Sequence, residues 1–270
     1  MNELIGNIVT IIQARMKSTR LPNKVYLSLA GKPLLIRMVE RVKASKLTGT
    51  VVVATTTDPE DDQIYELCKT EGLNVFRGHP TDLLDRHYKA GLKYDADAVV
   101  KIPSDCPLID PHVINRVLKY FIENQDKYDF VSNLHPATYP NGNDVEVMKR
   151  EALKSAWKSA KLSFEREHTT PYIWENPEKF RIGNVVWETG LDYSMTHRFS
   201  IDYEEDYIFI KNVYDELYNV NPLFGINEIL YLIQSKPHLK EINKKFNGVN
   251  WYRHHLPELK TIIPQQTRIT

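Results

Sequence analysis

The sequence predicts an α/β fold, in which a mostly parallel sheet carries helices on both of its faces. Two observations lead to this class: the alternation of two kinds of segment along the chain, and a length and hydrophobic content that allow a large core. Short runs rich in β-branched residues alternate with amphipathic stretches through the first half of the chain. Parallel strands need crossover helices and are buried on both sides, so apolar runs of this kind are typical of them. With 270 residues, of which 42% are hydrophobic, the chain is also long enough to bury a substantial core.

Four strands and four helices are predicted before residue 125, in strict alternation. The strands are 8–12, 51–55, 74–76 and 98–102, and the helices are 34–44, 61–71, 83–94 and 111–124. Ligands of open α/β sheets bind beyond the C-terminal ends of the strands. The loop that follows the first strand is therefore a candidate ligand site.

The pattern changes in the second half of the chain. Further strands are predicted at 130–133, 144–148 and 199–202, and further helices at 150–161 and 206–218. Residues 136–143 form a turn-rich break. We interpret 1–220 as one main domain, in which 133–200 is an excursion of strands and helices from the sheet. We interpret 221–270 as a mainly helical C-terminal tail.

Charge and cysteine content exclude several classes of protein. Lys plus Arg equals Asp plus Glu at 35 each, so no general electrostatic attraction to nucleic acid or membrane is expected. The two cysteines are far apart and form neither a metal motif nor a disulfide framework. No segment approaches the length of a membrane span, and no export signal is recognised. We expect a cytoplasmic protein without a membrane or nucleic-acid partner.

The loop after the first strand contains an unusual run of cations. Residues 13–24 read QARMKSTRLPNK. Their cations and the next one along the chain are Arg15, Lys17, Arg20, Lys24 and Lys32. A Gly-Lys-Pro turn at 31–33 then leads into the first helix, so backbone N–H groups accompany the cations. The segment is neither a P-loop nor a dinucleotide fingerprint. From spacing alone, the loop either binds an anion such as a polyphosphate or is an ordinary solvated surface.

Longer motifs make the assignment more specific. The segment IIQARMKSTRLPNKVYLSLAGKPLL at 11–35 resembles the signature of the cytidylyltransferases that make CMP-activated acidic sugars, the CMP-KDO and CMP-sialic acid synthetases. It resembles most the branch of spore coat polysaccharide biosynthesis protein F. Five further segments support the resemblance, which spans residues 8–210: TDLLDRHYKA, SDCPLIDP, YPNGNDVEV, EREHTTPYI and HRFSIDYEEDY. The resemblance implies the nucleotide-diphospho-sugar transferase fold, which agrees with the predicted alternation.

The resemblance also implies a function. It predicts an enzyme that transfers CMP from CTP to an acidic sugar, or to a related small polar acceptor, and releases pyrophosphate in surface polysaccharide biosynthesis. An alternative is a glycosyltransferase of the same fold, which would use a nucleotide sugar and a DxD metal motif; Asp95-x-Asp97 has the letters of that motif but precedes its strand. A nucleotide-binding scaffold without turnover is a third possibility.

Nucleotide and metal residues follow from the matched motifs. The resemblance places Arg15, Ser18, Arg20 and Lys24 on the triphosphate, with Arg15, Lys24 and Asp105 as catalytic residues. Asp105 and Asp202 match the family's Mg²⁺ ligands, although Asp105 could instead cap the helix near residue 111. Glu204 stands where many relatives have proline, which leaves the Asp202 ligand intact. Three further residues fall where the family contacts the nucleotide: Arg77, Asp85 and Arg86. Arg77 and Asp85 both have plain structural alternatives.

Seven residues are predicted around the acceptor. Strand alternation puts Asp144 and Glu146 on one face, which either orients the acceptor or faces solvent. Four others supply cations for a carboxylate or phosphate of the acceptor, or are structural ion-pair partners of nearby glutamates: Arg166, His168, His197 and Arg198. The last, Glu165, is predicted to lie beside them near the acceptor. A single histidine is most often structural.

A homodimer is also expected, because related synthetases pair through an excursion from the sheet. Residues 133–200 carry several aromatic side chains, and aromatic residues are enriched at interfaces as well as in cores. The ones considered for the interface are Tyr139, Trp157, Phe164, Tyr172 and Trp174.

Overall fold

The computed structural model describes residues 6–269 and has a seven-stranded sheet at its centre. Nine strands occur within these residues, seven in the central sheet and two in a small hairpin. In chain order the strands are β1 (Ile8–Gln13), β2 (Ser28–Leu29), β3 (Lys32–Pro33), β4 (Thr50–Thr56), β5 (Asn74–Gly78), β6 (Ala98–Pro103), β7 (Phe130–Ser132), β8 (Glu146–Lys149) and β9 (Ile182–Asn184).

Helices connect the strands and cover both faces of the sheet. In chain order the α-helices are α1 (Leu34–Ala44), α2 (Asp62–Thr70), α3 (Leu83–Lys93), α4 (Pro111–Glu123), α5 (Arg150–Ser159), α6 (Ser163–His168), α7 (Pro171–Trp174), α8 (Glu204–Leu217), α9 (Ile226–Ser235) and α10 (His238–Glu241). Short 3-10 turns occur at Lys24–Tyr26, Pro59–Asp61, Lys244–Phe246, Trp251–His254 and Pro264–Gln266. Within residues 6–269, none of the helices has both the length and the apolar character that crossing a membrane requires.

The sheet order is β5-β4-β1-β6-β8-β7-β9, and its first four strands are parallel. β8 runs antiparallel to both of its neighbours, β6 and β7, while β9 pairs with β7 in parallel. The predicted α/β class with a mostly parallel sheet is confirmed.

Local periodicity located the early elements well, and α1 shows why. Its predicted range, 34–44, is the observed one. Leu35, Met38 and Val42 recur at spacings of three and four residues and are fully buried, so one apolar stripe of the helix packs on the sheet. The helix starts directly after Pro33, whose fixed φ and missing N–H suit a position just before a helix.

One predicted strand is wrong. Residues 199–202 belong to no strand, and residue 198 beside them forms only an isolated bridge, between Arg198 and Asn141. The apolar side chains that suggested a strand, Phe199 and Ile201, pack instead in a cluster with α8 and α9. A short alternating run is apolar in either setting, so periodicity could not separate the two.

The stretch 133–200 is only partly an excursion. β8 lies inside this range and inserts between β6 and β7 in the central sheet, with Val147 and Met148 fully buried. β9, also within the range, forms the edge of the sheet. The chain therefore leaves the sheet and returns to it, which brings residues just before β8 next to the end of β6.

The aromatic side chains considered for a dimer interface lie largely inside the protomer. Tyr139, Phe164 and Trp174 are buried in the hydrophobic clusters, and Trp157 stacks on Tyr88 with ring centroids 4.7 Å apart. Their presence in the sequence is accounted for by packing within one chain. The homodimer itself stays a prediction.

Alternation along the parallel strands divides the core into two layers. Ile12 and Val53 face one cluster, which includes residues of α1 and α4, while Ile11 and Val52 face the other, which includes residues of α3. β1 and β6 are adjacent and parallel, so their C-terminal ends, and the loops that start there, lie side by side.

Candidate active site

A cavity of about 500 Å³ opens at the C-terminal ends of β1 and β6. This is where open α/β sheets bind ligands, and the sheet topology places the predicted loop on its rim. Of the predicted site residues, the cavity is lined by Arg15, Ser18, Arg20, Lys24, Asp105, Asp144, Glu146, His168, Arg198 and Asp202. Residues as far apart in the sequence as Arg15 and Asp202 thus form one surface.

Met16 holds the loop after β1 in place. Met16 is buried, its N–H donates to Asp61 Oδ1 at 2.7 Å, and its carbonyl accepts from the N–H of Asn23 at 3.2 Å. Asn23 has φ of 58°, a left-handed conformation that asparagine tolerates better than most residues. With Met16 anchored inward, the neighbouring side chains of Arg15 and Lys17 are exposed and line the cavity.

Two loop cations bind Asp202. Arg20 Nη2 lies 2.7 Å from Asp202 Oδ1, and Lys24 Nζ lies 3.1 Å from the same oxygen. Lys24 Nζ also donates to the carbonyl of Ile201 at 2.7 Å. The loop and the segment before α8 are therefore joined through charge, which orients both cations toward the cavity.

The other cations of the run differ in their surroundings. Lys17 lines the cavity and pairs with Glu60 at 3.3 Å. Lys32 lies outside the cavity and pairs with Glu40 at 2.8 Å. Arg15 forms no ion pair within residues 6–269. Its guanidinium is thus the cation of the loop that is most available to an anionic ligand.

A third cation, Arg198, completes the surroundings of Asp202. Arg198 is buried; its Nη2 lies 3.0 Å from Asp202 Oδ2 and its Nε lies 2.8 Å from Asp206 Oδ1. Burial alone would raise the pKa of the Asp202 carboxyl, but the charges of Lys24, Arg20 and Arg198 lower it below its usual value. Asp202 is therefore ionised at neutral pH.

Asp105 lies in the turn directly after β6 and is not a helix cap. Its carbonyl accepts from the N–H of Ile201 at 2.8 Å, which brings the Asp105 and Asp202 segments together. α4 is capped by Asp110, whose side chain accepts from the N–H of His112 at 2.8 Å. The carboxylate of Asp105 has a contact with the thiol of Cys106 at 3.4 Å and no ion pair to any of the described residues. The capping alternative for Asp105 is thereby removed.

The predicted carboxylate face before and along β8 also lines the cavity. Glu146 is buried, accepts from Thr170 Oγ1 at 2.6 Å and pairs with Lys101 of β6. Burial, together with the nearby charge of Asp105 and to a lesser extent that of Glu146, raises the pKa of Asp144 to about 7. Asp144 therefore carries a proton in part of the molecules at neutral pH.

Lys101 and Arg86 also line the cavity, and of the two only Lys101 was not predicted from the sequence. A single lysine within the apolar strand AVVKIP was the available signal for Lys101. Arg86 is buried and held by the carbonyls of His79 and Pro80 at 2.7 Å. Burial lowers the pKa of Arg86 to about 10, as does the charge of Arg15, so two guanidinium groups converge on this part of the cavity.

Two predicted nucleotide residues lie outside the cavity. Arg77 donates to the carbonyls of Thr56 and Asp58 and pairs with Asp62. Asp85 accepts from Trp157 Nε1 at 2.8 Å. The contacts of both residues join neighbouring elements of the fold.

Three predicted acceptor residues also lie outside the cavity. Glu165 accepts from the backbone N–H groups of Lys161 and Leu162 at 2.8 Å and so caps α6. Arg166 Nε donates to Asp82 at 2.9 Å. The ring of His197 stacks on Tyr193, with centroids 4.1 Å apart.

The prediction that His168 and His197 act as cations is wrong. Burial lowers the pKa of His168 to about 3 and that of His197 to about 4. Both imidazoles are neutral at physiological pH. His168 remains at the cavity as an uncharged aromatic ring.

The DxD alternative lies at the opposite end of the parallel strands, before β6 begins. Asp97 Oδ2 accepts from the N–H groups of Gly6 and Asn7 at 3.1 and 2.8 Å. Asp95 pairs with Arg150. Because the cavity opens at the C-terminal end of β6, these two carboxylates cannot contribute a metal ligand to it.

Acid is expected to destabilise the folded chain below about pH 6.5. Burial lowers the pKa of His87 to about 3, of His135 to about 4 and of His168 to about 3. In the unfolded chain each titrates near its usual value, so below that pH the unfolded state binds more protons and the free energy of unfolding falls. His197, whose pKa burial lowers to about 4, adds a fourth such histidine. Each contributes at most about 1.4 kcal/mol per pH unit, and Asp144, whose folded pKa is raised, opposes one of the four.

Urea unfolding at pH 7.5, 6.5 and 5.5 measures this loss. His87→Asn provides the comparison, because His87 is fully buried and lies outside the cavity. The free energy of unfolding of His87→Asn is expected to change less steeply with pH than that of the unmodified protein, by the slope that corresponds to about one proton. Equal slopes for the two proteins would contradict a neutral, buried His87.

Comparison with known proteins agrees with the geometry. Residues 9–242 match the family described as Cytidylyltransferase. "Uncharacterized protein MJ1063" of Methanocaldococcus jannaschii is 39% identical over 241 residues, covering 87% of this chain and 94% of the relative. "Spore coat polysaccharide biosynthesis protein SpsF" of Bacillus subtilis is 29% identical, with 86% of this chain and 96% of the relative covered.

A shorter match and a solved structure complete the comparison. The 3-deoxy-manno-octulosonate cytidylyltransferase of Brucella anthropi is 39% identical over 116 residues, 41% of this chain and 45% of the relative. The structure of a cytidylyltransferase from Leptospira borgpetersenii superposes with a TM-score of 0.81 at 34% identity, covering 87% of this chain and 97% of that one. The family match spans well over half of the sequence, and the solved relative shares both fold and sequence. This chain is a nucleotidyltransferase of the cytidylyltransferase family.

Proposed function

We propose that the protein transfers CMP from CTP to a hydroxyl group of a small polar acceptor, an acidic sugar or a related metabolite, in the biosynthesis of a surface polysaccharide. The observation that carries this proposal is the convergence of Arg15, Arg20 and Lys24 with Asp105 and Asp202 on one cavity. Cations can bind a triphosphate, and carboxylates beside them can bind the metal ion that accompanies it.

The chemistry follows from this arrangement. An acceptor oxygen forms a bond to the α-phosphorus of CTP, the bond between that phosphorus and the bridging oxygen of the β-phosphate breaks, and pyrophosphate leaves with the electron pair. The acceptor hydroxyl loses its proton. Arg15 binds phosphate oxygens of CTP, while Arg20 and Lys24 exchange part of their contact with Asp202 for those oxygens as charge develops on them.

Mg²⁺ is proposed as the cofactor, and two carboxylates fit it. Among the described residues there is no group of three or more His, Cys, Asp or Glu side chains placed to hold a metal alone. A hard ion that takes one or two carboxylates and completes its shell with phosphate oxygens and water needs no such group. Asp105, which has no cationic partner in residues 6–269, would hold the ion, and Asp202 would join it. The ion would supply positive charge that stabilises the transferring phosphate and the leaving pyrophosphate.

Asp144 is the proposed hydrogen-bonding partner of the acceptor hydroxyl. Its carboxyl lines the same cavity, and its backbone neighbour Gly142 donates an N–H to Oδ1 at 3.3 Å, which orients the group. A carboxyl with a pKa near neutral can take up the proton that the hydroxyl releases. Glu146 is less suited to this role, because Lys101 and Thr170 already occupy its oxygens.

Nucleotide choice provides a direct test. Pyrophosphate release with CTP, UTP, ATP and GTP, and with 3-deoxy-manno-octulosonate as acceptor, is expected to be fastest with CTP. Cytosine offers an N4 donor where uracil offers an O4 acceptor, and a site built for one leaves a buried group unpaired with the other; a preference of about 10²-fold or more is expected. Equal rates with CTP and UTP would contradict the proposal.

A further inference from the structure

The C-terminal segment, residues 243–269, lies beyond the family match and folds back over the cavity. The match ends at residue 242. Lining residues contributed by the C-terminal segment include Asn250, Trp251, Tyr252, His254 and Gln266. A part of the chain that the family comparison does not cover therefore forms one side of the proposed active site.

One anchor of the C-terminal segment is Arg198. The carbonyl of Val249 accepts from Arg198 Nη1 at 2.9 Å. Asn243 Nδ2 donates to the carbonyl of Arg198 and to Asp206 Oδ1, both at 3.0 Å. Because Arg198 also binds Asp202, the start of the C-terminal segment is tied to the proposed CTP and metal end of the cavity.

A second anchor fixes the later residues. The buried carboxylate of Glu175 accepts from the N–H groups of Lys260 and Thr261. Leu259 and Ile262 are buried in the cluster that contains Phe164 and Trp174. With both ends held, residues 250–254 have a defined position across the cavity.

Between the anchors, the C-terminal segment completes an aromatic wall. The wall consists of His135, His168, Trp174, Trp251 and Tyr252, all of which line the cavity. The rings of His168 and Trp251 stack with centroids 3.9 Å apart and planes 12° apart, and those of His135 and Trp174 are 4.4 Å apart. Tyr252 contacts both tryptophans, at 4.7 and 6.2 Å.

The aromatic wall is uncharged but retains polar atoms. Burial lowers the pKa of His135 to about 4 and that of His168 to about 3, so both rings are neutral. His135 Nδ1 is buried without a hydrogen-bond partner in the described chain. Tyr252 is half-buried and lines the cavity, so its hydroxyl is a second polar group of the wall. A buried polar atom without a partner is costly, so a ligand group is expected to supply one.

We infer that the C-terminal segment is part of the acceptor site, and that the aromatic wall binds the ring of a cyclic sugar acid, with His135 and Tyr252 binding its hydroxyl groups. This inference rests on the proposed function. Aromatic faces bury the C–H faces of a ring, and a few placed polar groups fix its orientation. The wall itself is uncharged, so it suits the C–H face of a ring better than a phosphate. The carboxylate of a sugar acid would lie off the wall, beside cations of the cavity such as Lys101 and Arg86.

The test compares acceptors and variants in the full-length chain. The probes are the cyclic acids 3-deoxy-manno-octulosonate and N-acetylneuraminate and the linear glycerol 3-phosphate, with CTP and Mg²⁺ present. Pyrophosphate release is expected with at least one cyclic probe and not with glycerol 3-phosphate. Release with glycerol 3-phosphate, or with none of the three, overturns the inference. Failure of the unmodified protein to bind CTP in calorimetry would instead overturn the proposed function.

Two variants localise the effect. Trp251→Ala is expected to raise the KM for the active cyclic probe at least about tenfold. Trp251→Tyr is expected to have a KM close to that of the unmodified protein, because it keeps an aromatic ring at this position. Tyr252→Phe removes only a hydroxyl and is expected to raise the same KM by about three- to tenfold. The Kd for CTP alone is expected to stay within about twofold in all of them.

Tyr231→Phe is the matched control, because Tyr231 is 74% exposed on α9 and lines no part of the cavity. It is expected to change neither KM nor Kd. An unchanged acceptor KM in both Trp251→Ala and Tyr252→Phe overturns the inference. An equal loss of CTP affinity in Trp251→Ala also overturns it, because the C-terminal segment would then serve the nucleotide.

Discussion

Asp105→Asn is expected to lower kcat for pyrophosphate release by on the order of 10²–10³-fold, while the folded state keeps its stability. A neutral amide is a much poorer ligand for Mg²⁺ than a carboxylate. Asp105 caps no helix and forms no ion pair within the described residues, so its replacement removes no contact of that kind from the fold. Thermal melts recorded beside steady-state kinetics separate the two effects.

Asp202→Asn is expected to cause a similar loss of turnover by a partly different route. It removes one proposed Mg²⁺ ligand and also the carboxylate that orients Arg20 and Lys24. Arg198 keeps its bond to Asp206, so the fold is expected to persist with a somewhat lower Tm. Asp215→Asn serves as a control, because Asp215 is an exposed residue that pairs with Lys211. Near-normal activity of either site variant at low Mg²⁺ would remove that residue from the metal site.

Arg15→Ala is expected to reduce kcat/KM for CTP by on the order of 10²-fold with little change in Tm. Arg15 is exposed and without an ion pair in residues 6–269, so it contributes little to folding. Its availability points to a role in binding phosphate oxygens of CTP. Lys32→Ala is the matched control: it removes a loop-proximal cation that pairs with Glu40 outside the cavity, and it is expected to leave kcat/KM unchanged.

Arg20 and Lys24 refine the same expectation. Arg20→Lys is expected to be less active than the unmodified protein, because a planar guanidinium can bind two oxygens at once and an ammonium cannot. Lys24→Ala is expected mainly to lower kcat, because Lys24 is proposed to bind the phosphate as charge develops on it. Arg15→Ala is expected mainly to raise KM, because Arg15 is proposed to bind CTP already in the ground state. If all three alanine variants, Arg20→Ala included, keep normal activity, the loop is an ordinary solvated surface.

Much of the fold could be predicted because local pattern and global burial agree there. The apolar stripe of α1 and the apolar runs of β1 and β6 are consequences of burial on a parallel sheet, so periodicity alone located them. The strand predicted at 199–202 failed because Phe199 and Ile201 are buried against helices, an environment that selects the same residue types as a sheet.

The position of the basic loop after β1 was predictable for a related reason. Arg15, Ser18, Arg20 and Lys24 lie in one continuous loop, and a loop that leaves the C-terminal end of a parallel strand has its position set by the topology. Asp105 follows the adjacent strand and shares that position. For these residues, the position in the sequence, directly after a parallel strand, also fixes the position in the fold.

The sequence by itself thus determined the fold class, the family and the residues of the basic loop after β1. Only the tertiary structure decided which other charged residues face the cavity. Arg166 pairs with Asp82, which is 84 positions away, and Glu165 caps its own helix. Burial makes His168 neutral, and Trp251 reaches it from the C-terminal segment. A side chain's partner and its protonation depend on what packs around it in three dimensions, and neither is encoded in the spacing of residues along the chain.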